Sequence, residues 1–110
     1  MSSKAYKDYI CNDILGHISG IHSRAMFGGY GIYREGLIFA IIVTNQLYFK
    51  VDDTNKGDYE QLESQPFTYH GKGKPIQMSY WEVPESVMED PEKVEEWMTV
   101  SLAISEKKKG

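Results

Sequence analysis

Few residues in this chain could do chemistry: one cysteine, three histidines, scattered carboxylates and two glycine-rich stretches. Cys11 would act as a nucleophile only as a thiolate with a base in reach. His17 and His22 are the nearest candidates in sequence, and His70 is remote. Cys11 follows Ile10 on a helical pattern, so the plainer role is a small, half-buried side chain. A metal site needs ligands at set spacing, such as C-x-x-C or H-E-x-x-H, and neither occurs. Asp52 with Asp53, or Glu92 with Glu95 and Glu96, could pair as acid and base. Helix capping accounts for the first pair and a solvated helix face for the second set. Ser79 lacks the flanking glycines of a nucleophile elbow. No catalytic residue, metal ligand or cofactor is expected, and the chain does not read as an enzyme.

The glycine stretches invite nucleotide readings and fail them. Gly29 and Gly31 fit the first two places of G-x-G-x-x-G, but Arg34 holds the third. A strand, not a helix, is expected to follow, so no helix N-terminus is available for a phosphate. Gly71-Lys72-Gly73-Lys74 resembles part of a P-loop, yet Thr68 stands at the first glycine and Pro75 at the magnesium-binding hydroxyl. An RNA-recognition octet aligned on Gly29-Tyr30-Gly31 puts Gly28 at the basic place and Glu35 at the last aromatic one. The remaining nucleic-acid reading is looser: Tyr33, Tyr48, Tyr69 and Tyr80 stacking bases beside Arg34, Lys50 and Lys72. The structural reading is backbone geometry. Gly28, Gly29 and Gly31 are expected to shape a bend or bulge, with positive φ at Gly29 and Gly31.

The elements that must position these residues follow from periodicity. Tyr6, Tyr9, Ile10, Ile14 and Ile18 recur at helical spacing, with Ser2 or Ser3 to cap the start and Gly20 past the end. Residues 26–33 read as extended segments around a glycine bend. Arg34-Glu35-Gly36 reads as a hairpin loop, and 37–43 as a central strand covered on both faces. After a turn at Thr44-Asn45, residues 46–51 alternate, with Leu47, Phe49 and Val51 facing one way. Asp52 and Asp53 stand where a short helix with Tyr59 and Leu62 should be capped. Segments 66–70 and 76–81 read as a second hairpin. Pro84 opens a helical turn, and Asp90-Pro91 starts a last helix with Val94, Trp97, Met98 and Leu102 on its buried stripe. The order is helix, three or four strands, helix, two strands, helix. It predicts an α+β domain over 1–110, with a mainly antiparallel sheet of five to six strands, flanking helices and a frayed tail at 106–110.

Composition narrows the class. The chain has 110 residues, 41% apolar and 25% charged, with eight tyrosines. A single cysteine forms no internal disulfide. No apolar h-region follows Lys4 and Lys7, and the longest apolar run, 37–43, is far short of the about 20 residues a membrane helix needs. A cytoplasmic protein without membrane partners is expected. The net charge of −4, with Lys107, Lys108 and Lys109 in the tail, argues against direct duplex DNA binding. Trp81 is expected to be buried, and becomes an interface anchor if it is exposed.

Segments 26–33 (MFGGYGIY), 37–42, 47–52 (LYFKVD), 66–69 (PFTY), 71–75 (GKGKP) and 78–84 (MSYWEVP), in this order and spacing, resemble the TfoX N-terminal domain. That is the N-terminal domain of the TfoX/Sxy regulators of bacterial competence genes. The resemblance implies an α+β fold with a curved antiparallel sheet, similar to the secretion-chaperone-like group, and no active site to carry over. It implies a regulatory role as well, since full-length relatives act with the cyclic-AMP receptor protein at certain promoters. Those regulators carry a second domain, whereas this chain is expected to stand alone. The expected partner is another protein, the transcription machinery among the candidates, or a second copy of the chain. Tyr30, Tyr33, Lys72, Lys74, Tyr80 and Trp81 form the expected interaction surface. The competing readings are a small-ligand or anion site at the glycine bend using Lys50, Lys72 and Lys74, and single-stranded nucleic-acid binding.

Overall fold

The computed structural model describes residues 4–26, 28–70, 73 and 75–109. The chain runs α1 (Lys4–Tyr9), a π-helical turn (Ile10–Ile14), β1 (Ile21–Met26), β2 (Gly29–Arg34), β3 (Leu37–Val43), β4 (Gln46–Lys50), α2 (Lys56–Gln61), β5 (Pro66–His70), β6 (Pro75–Glu82), α3 (Glu85–Met88) and α4 (Pro91–Lys109). The strands form one antiparallel sheet in the order β1-β2-β3-β4-β6-β5. The expected α+β class and mainly antiparallel sheet are what the chain adopts.

The first helix is shorter than its periodicity suggests. Leu15 N–H reaches back to the Ile10 carbonyl at 2.8 Å, closing a π turn, and helix ends there. The reason lies at Gly16, where a Cβ would stand 1.9 Å from the main-chain oxygen of Asn12. Only glycine lets the chain fold back so closely. Ile18, read as a helical position, is instead carried into the core by the turn that follows.

Two tight hairpins set the register of the next four strands. Glu35 and Gly36 have φ of 51° and 85°, and Thr44 and Asn45 have φ of 50° and 56°. Positive φ at both central residues is the geometry that matches strand twist. Within β3 one residue is extra: Ile32 pairs with Ala40 but Tyr33 with Ile38, so Phe39 forms a bulge. The bulge turns both Phe39 and Ala40 into the core, where Phe39 meets Phe49 edge-on. It also changes the expectation of a strand covered on both faces: Phe39, Ala40 and Ile42 are buried, while Ile38, Ile41 and Val43 are only half-buried.

The glycine bend also differs in detail. Gly28 has φ +75° and makes the turn between β1 and β2, whereas Gly29 and Gly31 lie in β2 outside the positive-φ set. Gly31 is required for space instead. A Cβ there would be 2.6 Å from Met26 Sδ and 3.1 Å from both Ile38 Cδ1 and Tyr33 Cε1.

α2, α3, α4 and the π turn all send side chains into one core: Ile10, Tyr59, Val87, Val94, Trp97 and Met98 meet Ile32, Ile42, Leu47, Phe49 and Trp81 from the sheet. These elements therefore cover the same face. Asp90 caps α4, its Oδ1 accepting from Glu92 N–H (3.1 Å) and Lys93 N–H (3.2 Å), as the Asp-Pro signal predicts. Asp52 does not cap α2. Its Oδ1 accepts from Thr54 N–H at 2.8 Å, making an Asx turn one step earlier, and Asn55 holds the cap position. α4 extends to Lys109, through residues expected to be frayed.

Two serines on the inner face of α4, 101 and 105, pin the helix. Ser101 Oγ donates to the Lys50 carbonyl at 2.8 Å, which Asn55 Nδ2 also reaches at 3.3 Å. Ser105 Oγ donates to the Ile38 carbonyl beside the bulge. Tyr59 packs its ring 4.4 Å from that of Trp97, and its buried hydroxyl has no hydrogen-bond partner. Burial pushes the Tyr59 pKa well above its ordinary 10.0, opposed only in part by the nearby Ser101 hydroxyl, whose own proton goes to Lys50.

Two outcomes are expected in urea unfolding. Gly16→Ala costs about 3 kcal/mol because a main-chain oxygen cannot yield, while Gly31→Ala costs nearer ~1 kcal/mol because the end of Met26 can swing away. Equal losses would show that the 12–16 contact does not end the helix. Tyr59→Phe stays within about 1 kcal/mol of the parent at neutral pH, since it removes an unsatisfied hydroxyl. The raised pKa favours folding fully below pH 10, and that contribution is lost as pH climbs above the unfolded value. The variant should therefore lose less stability than the parent between pH 9 and about 11, and an identical alkaline slope would contradict a buried neutral phenol.

Candidate functional site

Strand alternation assigns each sheet residue to a face. Ile32, Ala40, Ile42, Leu47, Phe49 and Trp81 point to the helices. Their neighbours point the other way, onto a face that takes no helix among the described residues. One row across it is Arg24, Gly31, Ile41, Tyr48 and Glu82, and the next begins His22, Tyr33, Ile38. Lys50 and Tyr80 pair at the far side of the second row. Gly31 leaves a shallow place in this face, which Met26, Ile38 and Tyr33 fill from three sides.

The rings on this face are held by their neighbours. His22 stacks on Tyr33 with centroids 5.3 Å apart and planes 11° from parallel, and the Arg24 guanidinium lies 6.0 Å from the same ring. Tyr48 meets Phe67 edge-on at 5.2 Å. The Lys50 ammonium sits 4.8 Å above the Tyr80 ring, a cation–π contact. Burial raises the pKa of both Tyr48 and Tyr80. Neither phenol is poised to act as a base.

Charge is divided between the two layers. Glu82 is the only one of the sixteen acidic residues that lies on a strand, while Arg24, Arg34 and Lys50 do. The other carboxylates line the helices and loops.

The four expected interaction residues among those described are divided between the two faces of the sheet. Tyr80 and Trp81 are each 8% exposed. Trp81 faces the helices, 6.4 Å from Tyr59, and leaves the candidate surface, while Tyr80 is on the open side but covered by Lys50. Alternation explains this, putting the two adjacent rings of one strand on opposite faces. Tyr30 points to the helical side, with Lys7 5.7 Å from its ring. Tyr33 is on the open face. Lys72 and Lys74 lie outside the described residues. Sequence reasoning missed Ile38, Ile41, Val43 and Arg24, because a continuous apolar run hides which of its members face outward.

The other candidate groups stay apart. His17 Nε2 lies 3.3 Å from the Pro91 carbonyl and 3.8 Å from Glu95, and His22 is on the open face. Cys11 is half-buried near Ser23, with its thiol pKa raised chiefly by burial. Among the described residues no group of three His, Cys, Asp or Glu side chains could hold a metal ion. Met26 fills the space beside Gly31. An open crevice lies elsewhere, between Val51, Asp52, Asp53, Lys56, Met78, Ser79 and Trp81. Among the described residues no helix is long and apolar enough to cross a membrane.

Among protein families, the profile of the TfoX N-terminal domain matches residues 13–105. No curated protein matches the chain.

A raised thiol pKa makes Cys11 slow to react. Alkylation by iodoacetamide at pH 8 should run at least about tenfold slower in the folded protein than in urea. Equal rates would mean that the thiol is exposed and ionised like a free one.

Proposed function

We propose, from the premise that the chain belongs to the TfoX N-terminal domain family, that it is a non-catalytic, cytoplasmic module that regulates by docking on another protein. At the level of the family it is a competence-related regulatory domain. The observation that carries the finer reading is the helix-free sheet face, with Ile38, Ile41 and Val43 half-buried beside tyrosine rings. An apolar face that no described element of the chain covers is what a docking surface looks like before its partner arrives. The Tyr48 and Tyr80 phenols are pushed toward their neutral form by burial, which suits contact and not proton transfer.

The test is a pull-down of the tagged domain from lysate of its own host, with and without nuclease, read by mass spectrometry. A stoichiometric protein that survives nuclease is the expected result. Loss of every partner on nuclease treatment would replace the reading with nucleic-acid binding, and an empty eluate would overturn it in favour of a small ligand.

A further inference from the structure

We infer that the helix-free sheet face docks an amphipathic helix of a partner protein whose apolar stripe is flanked by acidic residues. This rests on the docking reading above and adds where the partner sits and what its chemistry is.

The width of the face argues for a helix. Arg24 is on β1 and Lys50 on β4, three strands apart in the sheet. At about 4.8 Å per strand that separation is about 14 Å. A helix with its side chains is about 10–12 Å across. The two cations therefore stand where the flanks of one helix would fall. Between them lie Ile38 and Ile41, half-buried aliphatics that water wets in the free protein. Burying them is the apolar gain that such docking needs.

Charge decides the sign of the partner. Arg24 and Lys50 face outward here, and Glu82 is the single carboxylate on the strands. Off the strands lie fifteen of the sixteen carboxylates against nine of the twelve basic residues, so an acidic partner meets a net negative charge there and is drawn to this face instead. The same arrangement disfavours two copies meeting open face to open face, because each would bring Arg24 and Lys50 toward its like. Nucleic acid is disfavoured by the rings. Tyr33 already has His22 stacked on one face and Tyr48 has Phe67 against it edge-on, so a base would compete with these neighbours for the rings.

The probes are three: a synthetic 20-residue helix with a leucine stripe flanked by glutamates, the same peptide with lysine at each glutamate, and a 20-nucleotide oligothymidylate. Each is titrated into the ¹⁵N-labelled full chain and followed by amide shifts. The acidic peptide should give saturable shifts, complete below about 1 mM, centred on Arg24, Ile41 and Lys50. Arg24→Glu should weaken it at least about threefold, as a rim charge pair predicts, while Lys93→Glu on α4 should leave it unchanged. Unchanged melting of both variants keeps the comparison sound. Shifts confined to the helical layer, equal binding by the lysine peptide, or no saturation would overturn the inference. So would preferential binding of the oligonucleotide at this face. If the lysate pull-down still yields a nuclease-resistant partner while the peptide fails, docking stands and this surface falls. A bound acidic peptide beside an empty pull-down supports this surface and counts against a partner in the host lysate.

Discussion

The hydrogen bonds from α4 to the sheet decide what the rest of the molecule can be. Serines 101 and 105 lie one helical turn apart, and each gives its hydroxyl proton to a strand carbonyl, of Lys50 and of Ile38. A carbonyl in the middle of a complete ladder has its own partner across the strand. The Ile38 carbonyl stands next to the Phe39 bulge, where pairing is broken, and Lys50 ends β4, where the chain departs toward α2. The helix is anchored where the ladder leaves acceptors to spare. Buried hydroxyls satisfied in this way fix orientation and register as well as contributing about 1 kcal/mol each. Once α4 is set, Trp97 and Met98 fix the depth of the core, and Tyr59 and Trp81 fill the space beside them.

Covering one face commits the other. A strand residue that faces the helices leaves its two neighbours facing away. In β4 the division is plain, with Leu47 and Phe49 inside and Tyr48 and Lys50 outside. In β3 the bulge adds an inward residue without removing outward ones, so Ile38, Ile41 and Val43 remain on the open side of a strand that is apolar throughout. The half-exposed aliphatics are thus a direct result of the bulge and of the one-sided helical layer. Gly31 belongs to the same arrangement. Without a side chain it lets Met26, Ile38 and Tyr33 close over the strand and flatten the face.

How much of this was legible in the residues follows from the range of each signal. Alternation in 46–51, the Asp-Pro start of α4 and the glycine-bearing turns are local, and the structure has them. The length of the first helix was not legible, since Tyr6 to Ile18 keeps helical spacing while the chain turns at Gly16 against the Asn12 carbonyl. Ile18 is buried either way, so periodicity reported burial correctly and backbone path incorrectly. The role of Gly31 was misassigned for a similar reason. Glycine is needed both for positive φ and for close approach, and only the neighbours of the missing Cβ distinguish the two. Ser101 and Ser105 gave no signal, because a serine on a helix reads as polar surface until an acceptor is found opposite it. The candidate surface was the least legible part. Ile41 and Ile42 are the same residue type side by side, one outward and one in the core, and only the pairing register separates them.

An acidic chain and a cationic sheet face are compatible because the two signs occupy different layers. The net charge of −4 averages over a helical side that carries most of the carboxylates and an open sheet face that carries Arg24, Lys50 and one glutamate, Glu82. Averaged charge argues against duplex DNA, whose phosphates would meet the whole field. A short partner meets a local field, within a Debye length of about 8 Å at physiological ionic strength. At that range Arg24, Lys50 and Glu82 set the field of the open face, with one positive charge in excess, and the helical carboxylates on the far side of the sheet are screened. The net negative charge of the helices and loops then favours an acidic partner at the strands over one at the helical layer.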